Sequence, residues 1–295
     1  MATALLGTDG RYTLNVPSPV PPLSLLPEQW ARKAGDGGIA VGFDFPMGLP
    51  RSYARQVGVD SFRDFLGLIG TPAWVDFFQV AERATEISPG RPFFPVRATQ
   101  KGQVSQQMLC RGLGVASMQE LRRLCELATA SRPAAECMFW TLGPRQVGKA
   151  MITGWRDVLL PAVRGPRSEL FRLWPFDGDL SDLAGPGRAV LLEAYPGEMY
   201  GHFDIMGNNK RAQAWRKPAG ERMLRWADRV GVQVHTDLRA LLDDGFGPRP
   251  EGEDAFDAVT GLFGMLNVLL GHRGSGYPRD AGVREVEGWI LGQLG

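Results

Sequence analysis

The sequence predicts an α/β protein in which a sheet is flanked by helices. Two apolar runs, at 39–43 and 187–193, lead to the carboxylates Asp44 and Glu193. Each carboxylate is followed by Pro and Gly, which is typical of the end of a buried strand. Residues 3–16 show a hairpin pattern around the turn Thr8-Asp9-Gly10. Elsewhere apolar residues recur with helical spacing. Strands that come first and then alternate with helices indicate the α/β or α+β class.

Length and charge limit the class of protein. The chain has 295 residues, and we predict one domain over 1–295 that contains a largely helical insertion at 51–185. Hydrophobic residues make up 44% and charged residues 22%, as in soluble globular proteins. The net charge of +1 argues against a strongly basic surface for nucleic acid, although it is compatible with a local basic groove.

Cysteine usage and the absence of targeting signals predict a cytoplasmic protein. Cys110, Cys125 and Cys137 form no C-x-x-C pair, so we expect buried free thiols in a reducing compartment. No basic segment followed by an apolar one marks a signal peptide. The longest apolar run, at 258–271, is shorter than the roughly 20 residues that a membrane span needs, so no membrane partner is expected.

Helical spacing predicts a series of helices along the chain. A first helix is expected at 23–35, ended by Gly35, and helices within the insertion are expected at 61–69, 73–85, 117–130 and 148–160. Three more are expected at 220–232, 236–245 and 254–272. The last is apolar nearly all round and should be buried, with Gly261 and Gly264 allowing close approach of another backbone. Trp174 and Trp289 are interpreted as core anchors.

Four carboxylates occupy positions that a protein core does not favour. Asp44 ends the first apolar strand and Glu193 ends the second. Asp254 and Asp257 are three residues apart in the first turn of the last helix, so they share one face. Burying an aspartate is costly unless it is paired, hydrogen-bonded or bound to a metal. If the two strands are neighbours and the helix packs across them, the four carboxylates converge.

Convergence of these carboxylates predicts a divalent metal site. Four clustered carboxylates do not all stay ionised without cations, and oxygen-rich sites suit Mg²⁺ or Mn²⁺. In two-metal sites the ions lie roughly 3.5–4 Å apart and activate water for in-line attack on a phosphodiester. Each carboxylate also has a structural alternative. Asp254 would be a helix N-cap, Asp257 a first-turn residue favoured by the helix dipole, Glu193 the partner of an arginine, and Asp44 the cap of its own turn.

Several blocks of the sequence resemble the family called domain of unknown function 429. The blocks include VGFDFPMGLPRSYA, RPFFP, FWTLGPRQVGKAMITGWRDVLLP, LWPFDG, LLEAYPGEMYG, GEDAFDAVTGLFGMLNVLLG and VEGWILGQ, in that order. The resemblance covers the chain from about residue 12 onward. It implies an RNase H-like mixed sheet flanked by helices and the activity of a nuclease. It also implies that Asp44, Glu193, Asp254 and Asp257 are the catalytic, metal-binding residues.

The sequence departs from the family pattern at one point. RNase H-like sheets start with a central strand that carries the first catalytic aspartate, whereas the hairpin at 3–16 matches the strands that follow it. Asp9 is no replacement, because it lies in a turn. We therefore expect an open slot in the sheet beside the hairpin and the Asp44 strand. This slot would make the chain sticky or poorly soluble.

A glycine-rich turn and two basic segments are candidates for phosphate contact. The stretch 143–155 places Arg145, Gln146 and Lys149 before a helix, where backbone N–H groups and basic side chains can hold phosphate. A solvated helix start is the alternative, because the spacing is not that of a P-loop. Lys210, with Arg211 after it, is a candidate for the same role, and His202 is a candidate proton shuttle.

The sequence therefore predicts two candidate functions. The first is metal-dependent hydrolysis of a nucleic acid or a small phosphoester, with Mg²⁺ or Mn²⁺ as cofactor. The second is a non-catalytic protein that binds such ligands on the same fold and has lost the metal ligand of the first strand.

Overall fold

The computed structural model describes residues 1–97, 102–130, 132–143, 146–207 and 209–294. The chain divides into two compact units, which are described separately. Unit 1 consists of residues 1–21, 194–275 and 294, and unit 2 contains residues 22–193 and 276–293. The single domain expected over 1–295 stays a prediction.

The α/β class is confirmed, and the described strands form two three-stranded sheets. The strands are β1 (Ala4–Leu6), β2 (Tyr12–Leu14), β3 (Ile39–Phe43), β4 (Phe171–Leu173), β5 (Ala189–Glu193) and β6 (Gln233–Val234). Unit 1 holds a mixed sheet in the order β1-β2-β6, and unit 2 holds a parallel sheet in the order β3-β5-β4. Parallel strands need crossover connections, and the chain between β3 and β5 contains several helices.

Most of the regular structure outside the sheets is helical. The described residues form α1 (Leu26–Gly37), α2 (Arg51–Val57), α3 (Phe62–Leu68), α4 (Gly102–Gly112), α5 (Val147–Gly154), α6 (Leu160–Arg164), α7 (Leu180–Leu183), α8 (Pro196–Met199), α9 (Gln213–Val230), α10 (Thr236–Asp244) and α11 (Gly252–Leu269).

The expected hairpin is present in unit 1. β1 pairs with β2 in antiparallel register, with Ala4 opposite Leu14. The turn closes through a hydrogen bond from the Gly7 N–H to the Arg11 carbonyl, 2.8 Å long. Gly10 has φ of 77°, a conformation that glycine adopts readily. β1 lies at the end of its sheet, so one of its edges faces no strand among the described residues.

The two strands that end near carboxylates are parallel neighbours in unit 2. Phe43 of β3 pairs with Glu193 of β5, so Asp44 follows β3 at the carboxyl ends of these two strands. The prediction that β3 is buried is wrong, since all five of its residues are half-buried. The physical reason is its position at the end of the described sheet. β5, the middle strand, is buried throughout.

Two of the helices expected within 51–185 are confirmed and two are wrong. α3 matches 61–69, and α5, a wider helical turn at Trp155–Leu159 and α6 together match 148–160. The segment 73–85 instead contains short turns, because Trp74 and Phe77 pack edge to face around Phe65. The segment 117–130 contains only a short 3₁₀ turn, Leu124–Glu126, beside a buried arginine.

Each unit has its own hydrophobic core. In unit 2, Trp174 and Trp289 are buried as expected. Cys110, Cys125 and Cys137 are buried free thiols, which confirms that prediction. In unit 1, α11 buries most of its residues against α8 and α9. None of the described helices has the length and apolarity that crossing a membrane requires.

Candidate functional site

Glu193 at the end of β5 is held by a buried arginine. Arg123 donates two hydrogen bonds to its carboxylate, from Nη2 to Oε1 at 2.7 Å and from Nη1 to Oε2 at 2.8 Å. The Met47 N–H donates a third, to Oε2 at 2.9 Å. Arg123 is 0% exposed and Glu193 is 4% exposed. The alternative that Glu193 pairs with an arginine is therefore confirmed.

The remaining hydrogen bonds of the Arg123 guanidinium connect its own segment to two more segments of unit 2. Nε donates to Glu126 Oε1 at 2.9 Å, and Nη1 also donates to the backbone carbonyls of Met47 and Glu287. The carboxylate of Glu287 accepts from the Leu124 N–H at 2.7 Å and pairs with Arg51 Nε at 3.1 Å. We call Arg51, Arg123, Glu126, Glu193 and Glu287 the arginine network.

The arginine network carries more negative than positive charge. It contains three carboxylates and two guanidinium groups, and Glu126, Glu193 and Glu287 are all buried. Burial raises the pKa of Glu193, while the charge and hydrogen bonds of Arg123 act in the opposite direction. The network therefore depends on Arg123, whose loss would leave two carboxylates without their cation.

Asp257 in α11 has a corresponding basic partner in unit 1. Lys210 Nζ lies 2.5 Å from Asp257 Oδ2 and 3.0 Å from Glu253 Oε1. The Tyr200 hydroxyl donates a hydrogen bond to Asp257 Oδ1. Burial raises the pKa of Asp257 against the influence of Lys210 and Tyr200. Burial acts to lower the pKa of Lys210, but Asp257 and Glu253 outweigh it and raise that pKa.

A second buried arginine fixes the backbone around Lys210. Arg216 is 0% exposed and donates from Nη1 to the Lys210 carbonyl at 2.6 Å. Its Nε donates to the Gly245 carbonyl and its Nη2 to the Gly247 carbonyl, each at 2.7 Å. Arg216 thus holds the segment before α11 next to the segment that carries Lys210.

The other two predicted catalytic carboxylates are exposed. Asp44 lies in a bend directly after β3 and is exposed. The sequence suggested that this aspartate is buried at a cost in free energy, and its exposure removes that cost. Asp254 lies in the first turn of α11, where a carboxylate is favoured by the helix dipole. The alternative that Asp254 is the helix N-cap is wrong, because Glu251 occupies that position.

The structure brings the predicted residues together only in part. Asp44 and Glu193 belong to unit 2, and Asp254 and Asp257 belong to unit 1. Convergence of all four stays a prediction. Within the described ranges, no three His, Cys, Asp or Glu side chains form a group that fits a metal ion.

The two buried carboxylates do not fit a divalent cation in the observed arrangement. Each oxygen of Glu193 accepts a hydrogen bond from Arg123, and each oxygen of Asp257 has Tyr200 or Lys210 as a partner. A metal ion bound to either carboxylate would lie beside a fixed positive charge. A metal ion at Glu193 would also displace the buried Arg123 from two charge-assisted hydrogen bonds.

The predicted phosphate-contact residues are distributed over both units. Gln146 and Lys149 are exposed at the start of α5 in unit 2. Arg145 lies outside the described residues. A Cβ added to Gly148 would lie 2.8 Å from the Trp140 carbonyl oxygen, so this glycine serves close packing of α5. Lys210 is engaged by Asp257 and Glu253.

Arg123 and Arg216 were not predicted from the sequence. Arg123 lies in LRRLCELA, within the helix expected at 117–130. Two features of the sequence could have identified it: an arginine in an apolar segment, and a carboxylate at the end of a buried strand. Each would be a buried charge that needs a partner, so the two could have been expected to pair. No comparable signal marks Arg216, because its partners are backbone carbonyls.

No family model, curated protein or solved structure matches the chain. The resemblance to the domain of unknown function 429 family therefore remains a prediction.

Proposed function

We propose that the chain is a non-catalytic protein that binds nucleic acid or a small phosphoester on an RNase H-like scaffold. The observation that supports this best is the neutralisation of the two predicted metal ligands that are buried, Glu193 by Arg123 and Asp257 by Lys210. A catalytic metal site needs carboxylate oxygens that are free to bind the ion. In this protein those oxygens stabilise the fold instead.

Support for an RNase H-like scaffold comes from the parallel sheet of unit 2. β3 and β5 are adjacent, parallel and joined by a long segment that contains several helices. Ligands of open α/β sheets bind outside the carboxyl ends of the strands. Asp44 follows β3 at this end of the sheet.

Phosphate recognition in the proposal is assigned to the start of α5. Lys149 is exposed in the first turn, and Gln146 is the residue before the helix. Backbone N–H groups at a helix start attract anions, and an adjacent lysine adds a full charge. We expect Lys149 to contact the phosphate.

A second candidate is metal-dependent hydrolysis, favoured by the exposure of Asp44. Mg²⁺ is often bound by one or two carboxylates together with the phosphates of a substrate. An exposed aspartate at the carboxyl end of a parallel sheet suits that mode. On this alternative the substrate would complete the coordination, and Glu193 would retain its structural pairing with Arg123.

Fluorescence anisotropy of a labelled 20-nucleotide single strand and duplex distinguishes the two candidates. We expect saturable binding that persists in EDTA and no cleavage when Mn²⁺ is added. Lys149→Gln should weaken binding, while Lys33→Gln, which removes an exposed lysine of α1, should not. Mn²⁺-dependent cleavage that Asp44→Asn abolishes and the exposed control Asp60→Asn retains would establish the hydrolase instead.

A further inference from the structure

A pocket of about 280 Å³ lies within unit 1 at the carboxyl ends of two helices. α9 contributes Trp226 and Arg229, and α11 contributes Asn267. His202 comes from the turn after α8, and His272 and Arg273 come from the segment after α11. All six residues are close to this one pocket, although they are spread over 72 positions of the chain.

The charged groups of the pocket are mainly basic. Arg273 Nη2 lies 3.9 Å from Glu198 Oε1, so one of the two guanidinium groups has a carboxylate nearby. Arg229 takes part in none of the ion pairs formed by the described residues. The carboxyl ends of α9 and α11 carry partial negative charges of about half a unit, smaller than the full charge of each arginine.

Hydrogen bonds hold the wall of the pocket in place. The Trp226 indole N–H donates to Asn267 Oδ1 at 2.9 Å. Because this bond uses the amide oxygen, the amide NH₂ group of Asn267 is the part that can donate to a ligand. The Arg273 N–H donates to the Asn267 carbonyl at 3.0 Å. The rings of Trp226 and His272 meet edge to face, with centroids 6.3 Å apart. Asn267 and Trp226 are both buried, so their hydrogen bond is shielded from solvent.

Desolvation makes a negative ligand favourable at this position. Burial lowers the pKa of Arg273, and Glu198 acts in the opposite direction. A bound anion would offset the cost of burying the guanidinium. Arginine also presents a planar array of donors that matches a tetrahedral oxyanion.

We propose that this pocket binds a phosphate dianion through Arg229, Arg273 and the amide of Asn267. The ion would be either orthophosphate or the phosphate of a nucleoside monophosphate, since both present the same oxygens. The two imidazoles would supply further hydrogen bonds. This site is separate from the phosphate contact assigned to α5, so failure of oligonucleotide binding leaves it standing.

The three histidines of the chain provide a direct test. His202 and His272 line the pocket, whereas His235 accepts a hydrogen bond from the Asp237 N–H at the start of α10. In protein with isotope-labelled histidine, orthophosphate at fixed pH and ionic strength should shift the ring signals of His202 and His272 and leave His235 unchanged. Equal shifts of all three signals, or no shifts, would overturn the proposal.

Calorimetry with matched variants tests which groups hold the ion. Arg229→Gln and Arg273→Gln should each weaken orthophosphate binding by about tenfold, as expected for loss of a charge-assisted hydrogen bond. Arg222→Gln, which removes an exposed arginine of the same helix, should leave the affinity unchanged. Equal weakening by all three variants would show general charge attraction and overturn the assignment.

The source of the phosphate is resolved by comparing three probes. Adenosine 5′-monophosphate that binds more tightly than orthophosphate would identify a nucleotide, and the reverse order would identify the free ion. Adenosine that binds as tightly as its monophosphate would contradict a phosphate site.

Discussion

Arg123 and Lys210 pair with the two predicted metal ligands that are buried, Glu193 and Asp257. Arg123 is separated from Glu193 by 70 positions, and Lys210 is separated from Asp257 by 47. Glu193 lies at the strand end, as predicted, whereas Asp257 lies in the second turn of α11 and not in the first, because the helix begins at Gly252. The partner of each carboxylate comes from a segment whose own pattern gave no reason to expect an ion pair. The chemistry expected of these carboxylates therefore depends on contacts that local patterns do not encode.

Replacing Arg123 with methionine should destabilise the protein strongly. The substitution leaves Glu126 and Glu193 buried without their cation, which costs about 3–5 kcal/mol. Urea unfolding followed by fluorescence measures the change. Arg32→Met, on the exposed face of α1, should change the free energy of unfolding by less than about 0.5 kcal/mol. Equal effects of the two variants would mean that the arginine network does not stabilise the fold.

The raised pKa of Glu193 predicts a pH dependence that Glu193→Gln should remove. When a carboxyl has a higher pKa in the folded state, the folded state binds more protons, so stability falls as pH rises from about 4.3, the usual value, through the raised pKa. The difference in unfolding free energy, wild type minus variant, should therefore decrease between pH 4 and pH 7. An increase over that range would mean that Arg123 outweighs burial.

At the scale of elements, the sequence predicted strands and long helices better than the helical insertion. The hairpin, β3, β5 and α11 were identified because period-two or period-3.6 patterns persist over several residues and end in turn residues. The segments 73–85 and 117–130 also have helical spacing, but aromatic packing and the buried arginine determine their backbone. Tertiary contacts override local preference at such sites.

α11 offers two glycines with opposite environments. A Cβ at Gly264 would lie 2.2 Å from Met199 Sδ, whereas a Cβ at Gly261 would have no described atom outside the helix within 4 Å. The expected close approach of another backbone is therefore wrong at both positions: at Gly264 the nearest group is a side chain, and at Gly261 no neighbour approaches.

These two positions predict stability changes of opposite sign. Gly264→Ala should destabilise the protein by about 1–3 kcal/mol through overpacking. Gly261→Ala should stabilise it by about 0.5–1 kcal/mol, because alanine favours the helix. Thermal unfolding of the two variants against the wild type measures both changes. The packing of α8 against α11 would be contradicted if Gly264→Ala proved as stable as Gly261→Ala.

At the scale of the whole molecule, the end strands of the two described sheets are the features most prone to association between chains. β1 lies at the end of the described sheet of unit 1 and β3 at the end of that of unit 2, and the open slot expected between the hairpin and the Asp44 strand stays a prediction. Leu5 of β1 is 61% exposed. Unpaired edges with exposed apolar side chains promote association between chains.

Leu5→Lys should therefore reduce self-association, because a charge on an edge strand opposes pairing with another strand. Dynamic light scattering over a range of protein concentrations measures the effect. Val75→Lys is the matched control, since Val75 is 63% exposed but lies outside the described strands. Equal improvement by both variants would attribute the effect to net charge, and no improvement would exclude association through β1.

Titration of the wild-type protein with Mn²⁺ by isothermal calorimetry tests the central claim most directly. Because Glu193 and Asp257 are held by Arg123 and Lys210, we expect no saturable heat. Saturable heat that disappears in Asp257→Asn, a variant that keeps the size of the side chain, would show that the carboxylate binds metal. That result would contradict the account and restore the metal-dependent hydrolase.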